Sequence, residues 1–203
     1  MYPSASPRAA ILLAHGAGAG QTSPFMVRVG RGLAARQVAA ATFDFPYITA
    51  GRKVPDRASA LEAAWRQAVA AGRSRFGSLP LFIGGKSMGG RIASHFAAQG
   101  GAGELAGLVF FGYPLHPPSK PLQRRDVHLP QITVPLLFIQ GGRDPFGTGS
   151  EIRALLPALR QATLHEVAGA DHSLKAPARH GGTDAMEDAL DAAAAWIHAL
   201  VAA

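Results

Sequence analysis

Short apolar runs alternate with longer amphipathic stretches along the whole of this chain. The runs at 10–14, 40–45, 81–84, 107–112, 136–140 and 163–167 are mostly unbroken by polar residues. That is the pattern of parallel strands covered on both faces, not the alternation of a half-exposed sheet. Between them the spacing predicts helices over 25–37, 57–71, 89–99, 150–160 and 183–201. Asp56 and Thr183 stand where N-caps belong, and Gly72, Gly100 and Gly101 where helices stop. Strand–helix alternation implies right-handed crossovers, hence a three-layer α/β sandwich on a mostly parallel, six-stranded, doubly wound sheet. No repeat or linker interrupts the pattern, so residues 1–203 are expected to form one domain. The one long irregular stretch, 113–134, carries Pro114, Pro117, Pro118, Pro121 and Pro130. It reads either as a stiff surface excursion or as a wall of a site, because loops leaving the C-terminal strand ends frame the crevice of such a sheet.

One junction carries chemistry. Gly85-Lys86-Ser87-Met88-Gly89 follows an apolar run and precedes a helical pattern, so a serine stands on a tight strand-to-helix turn. Strand and helix approach too closely there for side chains, which is why glycine flanks the turn. The helix N-terminus directs free N–H groups and its positive dipole end at the serine. Two rival glycine motifs fail. A phosphate-binding G-x-x-x-x-G-K-[ST] loop would need glycine where Pro80 stands. The cluster Gly16-Ala17-Gly18-Ala19-Gly20 is followed by Gln21 and Ser23, which breaks the dinucleotide fingerprint G-x-G-x-x-G.

A nucleophilic serine needs a base to take its proton and an acid to orient that base. Where the serine sits on such an elbow, acid and base follow it in chain order, each in a loop after a strand. The run at 136–140 leads into Gly141-Gly142-Arg143-Asp144-Pro145, and the run at 163–167 into Ala168-Gly169-Ala170-Asp171-His172. Ser87, Asp144 and His172 therefore form the candidate triad, with Asp126 and Asp184 as fallback acids. The Met88 amide and that of Ala17, with Gly16 close behind, are the candidate oxyanion donors. His15 reads as a brace for its loop rather than as a second base. Lys86, Arg91 and Arg143 are candidate contacts for an anionic part of a substrate; the simpler expectation is that Asp44 pairs with Arg91 or Lys86.

Composition narrows the options. With 48% hydrophobic and 16% charged residues the chain is far from disordered, and without cysteine it has no disulfide, thiol catalysis or cysteine-bound metal. The absence of cysteine fits the cytoplasm, and the apolar N-terminal run is too short for a membrane span or a secretory signal. A net charge of +7 raises the question of nucleic acid, but the basic residues are scattered and lack an aromatic RNA-binding signature. Specific nucleic-acid binding is not expected.

The blocks 11–19, Phe43-Asp44-Phe45-Pro46-Tyr47, 84–91, 112–118, 140–147 and 169–173 together resemble the small, lidless α/β-hydrolases described as dienelactone-hydrolase-like. Relatives of that group include the testis-expressed hydrolase-like proteins and a chromatin-complex subunit. The resemblance implies a single α/β-hydrolase domain without a cap, a six-stranded parallel sheet lacking the usual first two strands, and the triad residues given above. Dienelactone hydrolases proper use a cysteine nucleophile, whereas this chain carries Ser87. The expected activity is that of a serine hydrolase on a small ester, thioester or related acyl substrate, through an acyl-enzyme and with no metal or cofactor. The chromatin-associated relatives supply the alternative, a non-catalytic interaction module on the same scaffold.

Overall fold

Alternate residues of each apolar run face opposite ways, and both faces need cover. In the computed structural model, which describes residues 1–177 and 184–202, six strands meet that need between two helical layers. They are β1 (Ala9–Ala14), β2 (Val38–Phe43), β3 (Leu81–Lys86), β4 (Gly107–Phe111), β5 (Leu136–Gly141) and β6 (Ala162–Val167). All pair in parallel in the order β2-β1-β3-β4-β5-β6. The helices are α1 (Pro24–Ala35), α2 (Pro46–Thr49), α3 (Ala58–Phe76), α4 (Met88–Phe96), α5 (Gly149–Leu155) and α6 (Ala185–Val201).

The period of two sorts the core into halves. Leu12, Ile83, Phe110 and Phe138 pack with Trp65 of α3, Ile92 of α4 and Ile152 of α5. Ile11, Phe82, Val109 and Ile139 pack with Val29 and Leu33 of α1 and with Leu190 and Ile197 of α6. On that second face Arg36 clasps α1 to α6 by pairing with Glu187 (2.9 Å) and Asp191 (2.7 Å). Among the described residues, no helix is long and apolar enough to cross a membrane.

Several element ends differ from the sequence expectation, each for a local reason. β2 stops at Phe43, because Asp44 is drawn off the strand to accept hydrogen bonds from Gln21. Gly72 does not stop α3; it lies inside the helix, where its missing Cβ makes room for Leu12 of β1, and the helix ends at Gly77. Asp56 does not cap α3, since Arg57 holds that position and Asp56 pairs with Arg52 at 2.6 Å. α5 opens on a capping box between Thr148 and Glu151 and gives way to a 3-10 turn after Leu155. Asp184 caps α6 by accepting from the Met186 N–H at 2.9 Å, while the cap expected at Thr183 lies outside the described residues.

Strand order reverses beside β1, which carries β2 on one side and β3 on the other. Ala14 of β1 pairs with Gly85 of β3, and Lys86 with Phe111 of β4. The loops after these strands leave the same edge of the sheet at the reversal, where open α/β sheets form their crevice.

Candidate active site

β3 ends at Lys86 and α4 begins at Met88, so Ser87 alone makes the turn. Its φ of 50° and ψ of −118° place a non-glycine residue in a sparsely populated conformation, costing about 1–3 kcal/mol. Its neighbours hold it there. The Ser87 N–H donates to the Phe111 carbonyl (3.2 Å), and the Ser87 carbonyl accepts from the Arg91 N–H (3.0 Å). A Cβ on Gly85 or Gly89 would collide with the Ala14 carbonyl, so β1, β3 and α4 meet this closely only because both residues are glycine.

The structure brings His172 and Asp144 to this serine. His172 Nε2 lies 2.9 Å from Ser87 Oγ, and His172 Nδ1 lies 2.7 Å from Asp144 Oδ2. An Nδ1 facing a carboxylate carries the ring proton, which leaves Nε2 free to accept from the serine hydroxyl. Asp144 is buried and accepts from two further donors, the Phe146 N–H (2.8 Å) and Gln140 Nε2 (2.9 Å). Phe146 also lays its ring against the imidazole, centroids 4.3 Å apart. Asp126 and Asp184, the fallback acids, are engaged elsewhere, with Arg124 and Arg28 respectively.

A cleft of about 500 Å³ opens over Ser87 and His172. Gly16, Ala17, Lys86, Met88 and Arg91, the candidate oxyanion and substrate contacts, are among the residues that line it. Met88 is the first residue of α4, where a helix N–H has no intrahelical acceptor. A Cβ on Gly16 would stand 3.6 Å from that of Ser87, so the β1–α1 loop lies directly against the serine. Arg143 is the exception among the candidates: its side chain is exposed and does not line the cleft, while its N–H is tied to the Ala170 carbonyl at 2.9 Å.

The charged residues around the elbow take other partners than expected. Asp44 pairs with neither Lys86 nor Arg91; it accepts from Gln21 N (2.7 Å) and Gln21 Nε2 (3.0 Å). Lys86 turns its ammonium to the His172 carbonyl and over the Phe25 ring, and burial holds its pKa down to about 8 against the pull of Asp144 and Asp171. His15 is buried, with Nδ1 2.8 Å from the Gly16 carbonyl while Nε2 accepts from the Phe45 N–H (3.2 Å). That pairing fixes one neutral tautomer, and burial lowers its pKa. His15 braces the loop that carries Ala17.

Two contributors escaped the sequence. Gln140, fully buried at the end of β5, accepts from the Tyr113 N–H (2.8 Å) and donates to Asp144 and to the Gly147 carbonyl (2.6 Å). Its signal was available: one polar residue ending an otherwise apolar strand must find partners if buried. Arg125 lines the cleft from the 112–135 connection, which gives the proline-rich stretch the role of a wall. Among the described residues, no group of three or more His, Asp or Glu is placed to hold a metal ion.

A parallel sheet with a strained serine at a strand–helix elbow, and histidine and aspartate on later loops, defines the α/β-hydrolase class. The chain matches the Alpha/beta hydrolase domain family model over residues 7–202 and belongs to that family. Solved structures agree on the fold. TT1662 from Thermus thermophilus is 20% identical with a TM-score of 0.73, over 99% of this chain and 92% of that one. A dienelactone hydrolase from Anabaena variabilis is 21% identical with a TM-score of 0.74, over 97% and 88%. Est1E from Butyrivibrio proteoclasticus is 14% identical with a TM-score of 0.73, over 98% and 90%. At these identities the likeness is one of fold.

Proposed function

We propose that the protein is a serine hydrolase of small esters, thioesters or related acyl compounds. The observation that carries this reading is the 2.9 Å contact between His172 Nε2 and a Ser87 hydroxyl held on a strained elbow over an open cleft. Ser87 Oγ attacks the acyl carbon while His172 Nε2 takes its proton, and the carbonyl electrons move onto oxygen. The Met88 and Ala17 N–H groups receive that oxyanion. Its collapse expels the leaving group, which takes the proton from His172, and leaves an acyl-Ser87 ester. Water then repeats the sequence: His172 accepts its proton, the acid departs, and the proton returns to Ser87. Asp144 keeps the imidazole in the tautomer that accepts from serine and stabilises the imidazolium between steps. No step calls for a metal or cofactor.

The motif blocks further support a place beside the dienelactone-hydrolase-like, testis-expressed and chromatin-associated proteins of this family. The assembled Ser87–His172–Asp144 chain favours an enzyme over an interaction module, which would have no use for backbone strain at a serine. The test is Ser87→Ala with p-nitrophenyl acetate and a fluorophosphonate label. Turnover is expected to fall by about four orders of magnitude or more, and labelling to vanish. An alanine variant as active as the parent would sink the proposal.

A further inference from the structure

The lining of the cleft is one-sided in charge. Among the described residues, Lys86, Arg91 and Arg125 reach it, and no aspartate or glutamate does. Lys86 is committed to the His172 carbonyl, but the two guanidinium groups have no carboxylate partner among the described residues. Arg91 stands in the first turn of α4, one helical turn beyond Ser87. Among the described residues its Nη1 meets only His95 Nε2, at 3.3 Å, and its buried Nε has no partner. Burial, and then the nearby charge of Arg125, push its pKa down from the usual arginine value.

Four nearby acids that could relieve this pair are already engaged, and Glu62 of α3, which acts on His95, makes no ion pair with either arginine. Arg124 holds both oxygens of Asp126, at 3.0 and 2.7 Å. Asp44 is bound by Gln21, Asp144 by His172, Gln140 and the Phe146 N–H, and one oxygen of Asp171 by the Ser173 and Lys175 amides. Arg125, moreover, is anchored. Its N–H donates to the Leu115 carbonyl (2.9 Å), and its own carbonyl accepts from the hydroxyl of buried Tyr113 (2.7 Å). Two like charges, one of them partly desolvated, are thus held at one cleft with no carboxylate bonded to either among the described residues, an arrangement that an anion would stabilise.

We propose that Arg91 and Arg125 form an anion subsite of the cleft, so that the substrate is an acyl compound carrying a carboxylate or phosphate close to its scissile carbonyl. The inference rests on the serine-hydrolase reading above and narrows its substrate class. Arg91, at the foot of α4, fixes how far the anion sits from Ser87, and Arg125 closes on it from the opposite loop.

The experiment compares kcat/KM for three p-nitrophenyl esters, those of butyric acid, glutaric acid with its second carboxylate free, and 3-phosphonopropionic acid. The parent protein should favour at least one anionic ester over the butyrate by about tenfold or more, as charge-assisted hydrogen bonds to guanidinium allow. The acid that wins tells carboxylate from phosphate. In Arg91→Gln and in Arg125→Gln that ratio should fall toward one, with part of it kept in Arg91→Lys. Arg125→Gln, in a surface loop, serves if Arg91→Gln does not fold. A parent ratio of one or less for both anions, or a ratio unchanged in both glutamine variants, overturns the subsite. A second measurement needs no turnover: calorimetric titration of Ser87→Ala protein with glutarate and with inorganic phosphate. Millimolar binding that is lost with Arg91→Gln or Arg125→Gln supports the subsite; no binding of either anion, without ester preference, overturns it. Turnover that survives Ser87→Ala would instead condemn the serine mechanism and leave the titration to judge the subsite alone.

Discussion

Among its described residues the molecule contains two serine–histidine hydrogen bonds, and only one is placed to do chemistry. Ser87 and Ser94 stand at the cap and in the body of α4, and each meets an imidazole Nε2, at 2.9 Å from His172 and 2.7 Å from His128. The shorter contact is the inert one. Ser94 is fully buried, and its hydroxyl donates to the Arg91 carbonyl at 2.7 Å, so its proton is spent on the helix backbone. His128 must then donate to Ser94 rather than accept from it. Burial, with His95 stacked at 3.9 Å and Arg91 close by, drives the His128 pKa down to about 4, and among the described residues no carboxylate bonds its far side. Ser87 differs on each count. It lies outside the regular helix, its proton faces a base, that base has Asp144 behind it, and a cleft gives access. A serine–histidine contact becomes a candidate nucleophile through proton direction, a supporting acid and access, not through distance.

The harshest way to break the comparison is to remove the acid. Asp144→Asn keeps the size of the side chain, but its amide can present an N–H to His172 Nδ1 and favour the other tautomer, whose Nε2–H can no longer accept from Ser87. The Ser87–His172 pair would then resemble Ser94–His128. We expect kcat on p-nitrophenyl acetate to drop by about three to four orders of magnitude with the fold intact. Steady-state kinetics together with a thermal melt check this. A loss below tenfold would show that Asp144 does not set the imidazole.

These contrasts were only partly readable in the chain. The strands were legible because fully buried parallel strands are apolar throughout, and Ser87, Asp144 and His172 because each follows such a run. Their convergence followed from parallel pairing, which sends every strand's C-terminal end to one edge. Helix ends were less legible. Gly72 carries the composition of a stop, yet its role is set by Leu12 on a distant strand. Charge pairing misled more: Asp44 near Arg91 and Lys86 suggested an ion pair, but Gln21, two elements earlier, supplies two donors that fit the carboxylate better. Arg125 could not be placed, because its position depends on how the proline-rich connection folds back to bond Leu115 and Tyr113.

Lys86 sharpens the comparison by degree. Its ammonium holds the His172 carbonyl with a charged donor, whereas the His128 carbonyl accepts from a neutral one, the Gln131 N–H at 3.1 Å. Because burial lowers its pKa to about 8, the lysine is charged below that pH and loses its proton as pH rises through it, well before an exposed lysine would. With the charge goes the strong form of the anchor and a positive field that favours the oxyanion. The log kcat/KM profile on a neutral ester is expected to bend downward near pH 8, by a few-fold to about tenfold. Lys86→Met should start lower and lack that bend. A parent profile flat from pH 7 to 10 would remove Lys86 from the account of His172.

The smallest effect is expected at the inert pair. Ser94→Ala deletes a hydroxyl that bonds the Arg91 carbonyl and His128, so it should cost about 1 kcal/mol of stability. Turnover and fluorophosphonate labelling should stay within about twofold of the parent, since Ser94 reaches no substrate. His128 adds a pH signature. Its folded pKa lies below its unfolded value of 6.5, so the unfolded state binds the extra proton first, and stability is full above about pH 6.5 and declines toward pH 4. His15, lowered by burial as well, contributes with the same sign and remains in a His128→Leu variant. The loss of melting temperature between pH 6.5 and 4 should therefore shrink in His128→Leu without disappearing, while Ser87 reactivity is kept. If Ser94→Ala abolished labelling, Ser94 would belong to the machinery after all, and the separation of the two pairs would fail.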